Sequence, residues 1–474
     1  MRGISAIKSD TEITIEELET TIPCYFGCAP YWQVDSSKYN SVPGKSFVIR
    51  SVKEATTKIG YMEPKSGVFP KYASLCEAVY THFKFMEAGP ILVIVNDQKV
   101  TETDVKSAQL VMSKGKGILD VRGLAILSSV SISGKEKGTD FSVEYDDDGQ
   151  KLIITENSDL GNEITLSWKE VEVDAIELTK TTFENLTYIE QETGYIPDVI
   201  AAPGWEKDNI LGEHIYYDTL IELAEKAMDS HWQIQAYAQI DEISIDDAKQ
   251  AKDSAKIKSS KMKICYPYVQ KDGLILSLST VTIAAKMLVD AKNEGIPFES
   301  ASNEIIDIDK VVNSTGDQIR ISQEEANGLN NVGIATCAFI CGDWRTWGIC
   351  MSNYSAEVDD LDAIDPREQN DVAVQMHDYI CNDFQLQNID YIDKPMSPKT
   401  AQAIAQDYQV EVLDVLVKAG ALLYGNIEVN TEDSNTTKGD FKFDIRETNT
   451  PPGKSITARV MWSDVGLAAY EEDD

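Results

Sequence analysis

Apolar and polar positions change their rhythm several times along the chain, and each change predicts a different element. Residues 1–20 are polar, with Ile13 and Ile15 alternating with Glu12, Thr14 and Glu16. A two-residue period without a core of its own predicts an extended arm. From Thr21 the chain turns apolar. A strand is expected at 46–52, a helix over 72–85 with Leu75, Val79, His82 and Phe83 at helical spacing, and a strand at 90–96 (PILVIVN). Strand, helix, strand is an α/β opening.

Between 106 and 170 the period shortens to two, with strand-like GILDV, LAILSSVSI, DFSVEY, KLIIT and EITLSW separated by turn residues. That texture predicts a small all-β module. Its acidic turn Asp146–Gly149 is read as a hairpin turn between Val143 and Leu152, because a calcium loop needs alternating oxygen ligands over about twelve residues. From 197 to 295 strands and helices alternate: a strand in 198–204, a helix around Leu220, Leu223, Ala224 and Ala227, and a strand whose even positions Trp232 to Ile240 are apolar. A helix at 246–255, a strand at 262–268 and a helix at 281–293 follow, which predicts a mostly parallel sheet covered by helices.

Further on, Ser322–Glu325 (SQEE) is a capping box, a helix is expected at 372–384, and Ser397-Pro398 opens another. The apolar stripe of that last helix runs Ile404, Tyr408, Val412, Val415, Ala419 before Gly420 stops it. Two strands (NIEV, FKFDI) and the Pro451-Pro452-Gly453 break come next. Finally Ile456, Ala458, Val460 and Trp462 share one face of a predicted strand that has no sheet nearby in sequence.

Composition narrows the class. The 474 residues carry 43 Lys and Arg against 79 Asp and Glu, a net charge of −36 spread along the chain, which would repel a nucleic-acid backbone. At 42% apolar and with no run of 18 apolar residues, neither a membrane span nor a secretory leader is expected. Eight cysteines are too sparse for a disulfide scaffold. Cys24, Cys76, Cys337 and Cys341 sit in apolar or aromatic runs, so reduced, buried thiols are expected and a metal site is not.

Candidate chemistry is thin. Gly44-Lys45-Ser46 and Gly453-Lys454-Ser455 lack the first glycine of a phosphate loop and follow proline, which has no N–H for the anion. Lys114-Gly115-Lys116-Gly117 precedes a strand rather than a helix. The histidines are His82, His214, His231 and His377, and none falls in a catalytic motif; His82 and His377 read as packed or surface residues. No catalytic residue, cofactor or metal is therefore expected. Two alternatives stay open: an α/β enzyme with a pocket at the strand carboxyl ends near Pro203 and Asp241, and a monomeric acidic binding module.

Several segments in order resemble contractile tail sheath proteins of myophages and phage-tail-like particles, including tailocins. The run from Gly295 through Pro297 to Ser302-Asn303 is similar to the family's G-x-P-x-x-(S/A)-x-S/A-N, and EANGLN follows at 325–330. Gly342-Asp343-Trp344-Arg345-Thr346-Trp347 resembles the G-N-R-T-W signature, and 196–204, ending in Pro203-Gly204, resembles P-D-(V/I)-x-x-A-P-G. GTDFSVEY at 138–145 is like the β-module inserted in many sheaths. Asp343 and Trp344 stand where the family has one residue, and the usual Pro-Gly-Val start is missing.

The resemblance covers roughly 21–462 and implies a mixed α/β fold: a multi-domain core with a mostly parallel sheet, an inserted all-β domain and extended N- and C-terminal strand arms. The expected division is an arm at 1–20, core at 21–100, the inserted outer domain at 101–175, core at 176–350, a helical and β part at 351–455, and an arm at 456–474. It implies a structural subunit that polymerises around an inner tube in sixfold rings, with baseplate and terminator proteins as further partners, assembled in a bacterial cytoplasm into a virion or tailocin. Ile13, Ile15, Ile456, Ala458, Val460 and Trp462 would then pair with neighbouring subunits, with no nucleic acid, membrane insertion or nucleotide involved.

Overall fold

The computed structural model describes residues 20–34, 41–174, 176–205, 215–229, 232–356 and 365–462. Ile13, Ile15, His214 and His231 lie outside the described residues.

The apolar runs that open each α/β unit assemble into one six-stranded sheet. Its order is Met262–Cys265, Gln235–Gln239, Val199–Ala201, Pro23–Gly27, Ile91–Val95, Ser46–Ile49. Every neighbouring pair is parallel except the last, where Ser46–Ile49 runs antiparallel to Ile91–Val95. The expected parallel sheet of 197–295 is thus extended by strands from the first hundred residues, and Pro23 lies directly opposite Val199.

Because both faces are covered, strand residues alternate between two cores rather than between core and water. Tyr25, Ile91, Val93 and Tyr237 enter one core; Phe26, Leu92, Ile94, Ala236 and Ala238 enter the other. The strand whose even positions are apolar therefore buries its odd ones as well, Gln235 and Gln239 included. Helix Leu278–Lys292 is buried nearly all round for the same reason: it lies between the sheet and neighbouring layers.

The chain leaves this sheet after Val95 and returns at Val199. In between, strands 116–120, 151–156 and 141–145 form one three-stranded sheet and 106–111, 163–168 and 131–132 another, around a core of their own with Phe141, Leu152, Ile154 and Leu166. The expected hairpin is present, with Tyr145 opposite Leu152. Its turn, however, is a docking element. Gln33 Nε2 donates to the carbonyls of Gly123 (3.1 Å) and Gly149 (3.0 Å), and Trp32 Nε1 donates to Gly123 (2.7 Å). Gly149 has φ +64°, and a Cβ there would fall 1.9 Å from the Tyr61 carbonyl oxygen.

Towards the C-terminus, helices Asp371–Asn388, Pro398–Tyr408 and Asp414–Ala419 pack with the long hairpin Leu422–Asn435/Asp440–Asn449 around Met376, Tyr408, Leu413 and Leu416. The stripe Tyr408, Val412, Val415, Ala419 does not persist. A π turn over Gln409–Leu413 inserts one residue and rotates the remainder of the helix, so Leu413 and Leu416 are buried and Val415 is exposed. Gly420, at φ +82°, ends the helix as expected. Cys341 also departs from expectation: Cys337 is buried in strand 336–340, but Cys341 lies in the exposed turn beyond it at φ +54°.

Candidate functional site

The motif residues of 295–303 and 343–347 converge on one structural hub. Loop 295–306 runs beside strand Asp343–Trp347, with Ile305 bridged to Arg345. Asn303 N–H donates to the Thr346 carbonyl (2.6 Å), Arg345 Nη1 donates to the Asn303 carbonyl (2.9 Å), and the Thr346 hydroxyl donates to the Ala301 carbonyl. Asn303 sits at φ +71°, a left-handed conformation that asparagine tolerates better than most residues. Ser302 Oγ accepts the Gly348 N–H at 2.9 Å. Gly295, at φ +82°, and Pro297 carry the chain from helix Leu278–Lys292 into this loop. Thr346 is buried and all its polar atoms are used in holding the loop, so the signature is a fastening rather than a reactive centre.

Pro203 and Gly204 lie elsewhere, in the turn after strand Val199–Ala201. There Trp205 is fully buried and its indole N–H donates to Ser74 Oγ at 2.9 Å. That turn closes over the sheet.

From the hub, polar contacts run into a buried ionic layer that the sequence reading missed. Ser300 Oγ donates to Asp371 Oδ2 (2.8 Å), and the same oxygen receives Lys263 Nζ. Lys261 pairs with Asp378 at 2.6 Å and Lys286 with Asp290 at 2.5 Å, all at least nine-tenths buried. Helix Asp371–Asn388 is thereby bolted to the amino ends of the parallel strands. A usable signal existed: Lys261 and Lys263 alternate with Met262 and Ile264, so two charges on an otherwise apolar strand had to meet partners.

Residues 20–22 are anchored in this layer. The Thr21 hydroxyl donates to Asp290 Oδ2 (2.5 Å), the Ile22 N–H to Asp198 Oδ2 (2.8 Å) and the Thr20 hydroxyl to the Met287 carbonyl (2.6 Å). Burial pushes the Asp198 carboxyl up to about 7, and the charges of Asp290 and Asp378 push the same way. Burial likewise raises Asp290 to about 6, against the pull of Lys286.

The remaining chemical candidates are absorbed by structure. Lys45 of the first Gly-Lys-Ser fragment pairs with Glu192 at 2.6 Å, and Lys454 of the second lies 5.3 Å from the Tyr354 ring centre. His82 is fully buried, and burial lowers it to about 4. It is therefore neutral, with Nδ1–H donating to the Ala88 carbonyl (2.9 Å) and Nε2 accepting from the Tyr25 hydroxyl (2.7 Å). His377 stands at the surface, 3.4 Å from Glu447 Oε1.

The last described segment behaves differently. Thr450 is tied to the end of the preceding helix, its N–H on Ala421 and its hydroxyl on Gly420. Beyond it, residues 451–462 form no ladder with the described chain. Ile456, Val460 and Trp462 are 96%, 92% and 104% exposed, and Ala458 is exposed as well.

No family model matches the chain, and no curated protein does. Solved structures do. A chain of the anti-feeding prophage baseplate is 13% identical, with a TM-score of 0.59 over 98% of this chain and 100% of that one. The PVC sheath of an extracellular contractile injection system, in its contracted state, is 11% identical, with a TM-score of 0.56 over 98% of each chain. The sheath tail protein of Desulfitobacterium hafniense is 11% identical, with a TM-score of 0.51 over 94% of this chain and 100% of that one. The mixed α/β fold is shared with these three chains along nearly their whole length. The resemblance read from the motifs is thus a resemblance of fold as well.

Proposed function

We propose that this chain is the repeating subunit of a contractile tail sheath, polymerising helically around an inner tube in a phage or phage-tail-like particle. The observation that carries this reading is the tail: a Trp, a Val and an Ile presented to water on an extended segment, in a chain whose fold is shared end to end with sheath chains. An apolar, unpaired strand seeks a sheet, and the open edges of the hairpin 422–449 in a neighbouring copy offer one.

About five or six ladder hydrogen bonds at a net of about 1 kcal/mol each, with Ile456, Val460 and Trp462 adding roughly 1.5–3 kcal/mol each, would link neighbours while their bodies move. Ile13 and Ile15 would serve in the same way from the other terminus. Six subunits would make a ring, the symmetry imposed on the baseplate neighbour. Inner tube, baseplate and terminator proteins complete the partner list, and the particle forms in the producing bacterium's cytoplasm. Contraction draws on lattice energy held behind a kinetic barrier and uses no nucleotide. The buried Trp205 closing the turn at Pro203 favours this reading over a catalytic crevice at the strand ends.

Electron microscopy of the purified chain tests it. Tubes, rings or ordered sheets are expected; dispersed monomers at tens of micromolar, with and without a tube template, would overturn it.

A further inference from the structure

Residues 20–21, the strand amino ends and helix Asp371–Asn388 border a cleft of about 190 Å³. Asp198, Asp378 and Asp383 line it together with the rings of Trp232 and Tyr379, and among the described residues no lysine, arginine or histidine does. Lys261 answers Asp378 from behind. Among the described residues the Asp198 carboxylate takes the Ile22 N–H described above, and it is half-buried and lines the opening. An acidic wall alone is not a site, but here a second observation points to an occupant. Gln375 is 7% exposed, lines the same cavity, and its Oε1 has no donor; the Trp232 indole N–H has no acceptor.

We propose that this cavity receives the guanidinium of Arg459 from the tail of a second copy. Cleft and guanidinium are chemically complementary. Guanidinium N–H groups satisfy carboxylates and a bare amide oxygen together, its flat face stacks on aromatic rings, and a carbonyl of the same peptide answers the indole N–H. The occupant is set by charge. Residues 450–462 hold Lys454 and Arg459 and no Asp or Glu, in a chain of net charge −36. Lys454 is engaged with Tyr354, whereas Arg459 stands exposed on the free segment.

The inference rests on the reading of the chain as self-assembling, yet it is tested without polymer. A fluorescent peptide of residues 450–462 is titrated into full-length Arg459→Ala protein, whose own tail cannot compete. Saturable binding is expected, weakened about tenfold or more by Asp383→Asn or by Glu in place of Arg459 in the peptide, and weakened by salt. Absent binding, or binding indifferent to both changes, overturns the site. Mixing Asp383→Asn chains with Arg459→Ala chains then assigns the source. A complex formed by the mixture and by neither variant alone supports contact between copies, and its absence overturns that assignment. Tubes that form while the peptide fails to bind would reject this site and leave the sheath reading intact.

Discussion

Lys263 and Asp371, 108 residues apart in sequence, form an ion pair whose side chains are 1% and 3% exposed. Burial alone would lower the lysine's affinity for its proton, but the adjacent carboxylate more than offsets this and holds the ammonium above its ordinary value. The pair joins the edge strand Met262–Cys265 of the parallel sheet to the first turn of helix Asp371–Asn388, where the helix dipole also favours the aspartate.

Removing one partner leaves the other charge stranded. Lys263→Met is expected to destabilise the chain by about 3–5 kcal/mol, whereas Lys263→Met with Asp371→Leu should recover most of that loss. Denaturant unfolding of the singles and the double, read as a mutant cycle, checks it.

Val460→Pro is expected to stop assembly without touching the monomer. The proline removes one ladder N–H, and the segment makes no ladder within its own described chain, so circular dichroism and melting temperature should stay at wild-type values. Normal tubes from this variant would show that the strand is not the link.

The inserted module should come loose at one residue. Gly149→Ala puts a Cβ against the Tyr61 carbonyl at a positive φ, which a side chain disfavours, so the docked turn must shift. Limited proteolysis near 100–105 and 170–176 is expected to accelerate at least severalfold while the module's own β signal persists. Deleting 105–170 through a Gly-Ser joint should leave the body folded but strand the Trp32 and Gln33 donors. Adding Trp32→Phe and Gln33→Leu should then raise its melting temperature.

Stability should depend on pH through buried groups of opposite sign, and two of them are read by substitution. His82, lowered from 6.5 to about 4, takes up its proton more readily when unfolded, so its contribution is complete above about 6.5 and shrinks by about 3 kcal/mol as pH falls towards 4. Glu77, raised from 4.5 to about 7 by burial, contributes fully below about 4.5 and loses about 3 kcal/mol as pH rises through 7. Relative to wild type, Glu77→Gln should gain stability between pH 5 and 7.5. The deficit of His82→Gln should narrow between pH 7.5 and 4.5. Unfolding midpoints across pH decide both.

Most elements were legible because their cause is local. Ser322 and Glu325 form the capping box in place, Gly420 takes the left-handed turn after its helix, and the run ILVIV is a strand buried on both faces. The π turn at 409–413 was not, since a single inserted residue is stabilised by the contacts it makes and leaves no mark on the preceding period. The exposure of Cys341 escaped similarly: it follows an apolar strand in sequence but sits past the point where that strand turns.

By itself the sequence determined the order and kind of the elements, the acidic surface, the lack of a phosphate loop and the apolar face of the tail, all consequences of residues near one another along the chain. The tertiary structure alone decided which strands are neighbours, that Lys261 and Lys263 meet Asp378 and Asp371, and that the acidic turn at Asp146–Gly149 is a dock. The physical reason is range. Helix caps and strand periods are set within a few residues, whereas a buried charge or an unpaired carbonyl finds its partner only when segments a hundred residues apart are brought together in a medium without water.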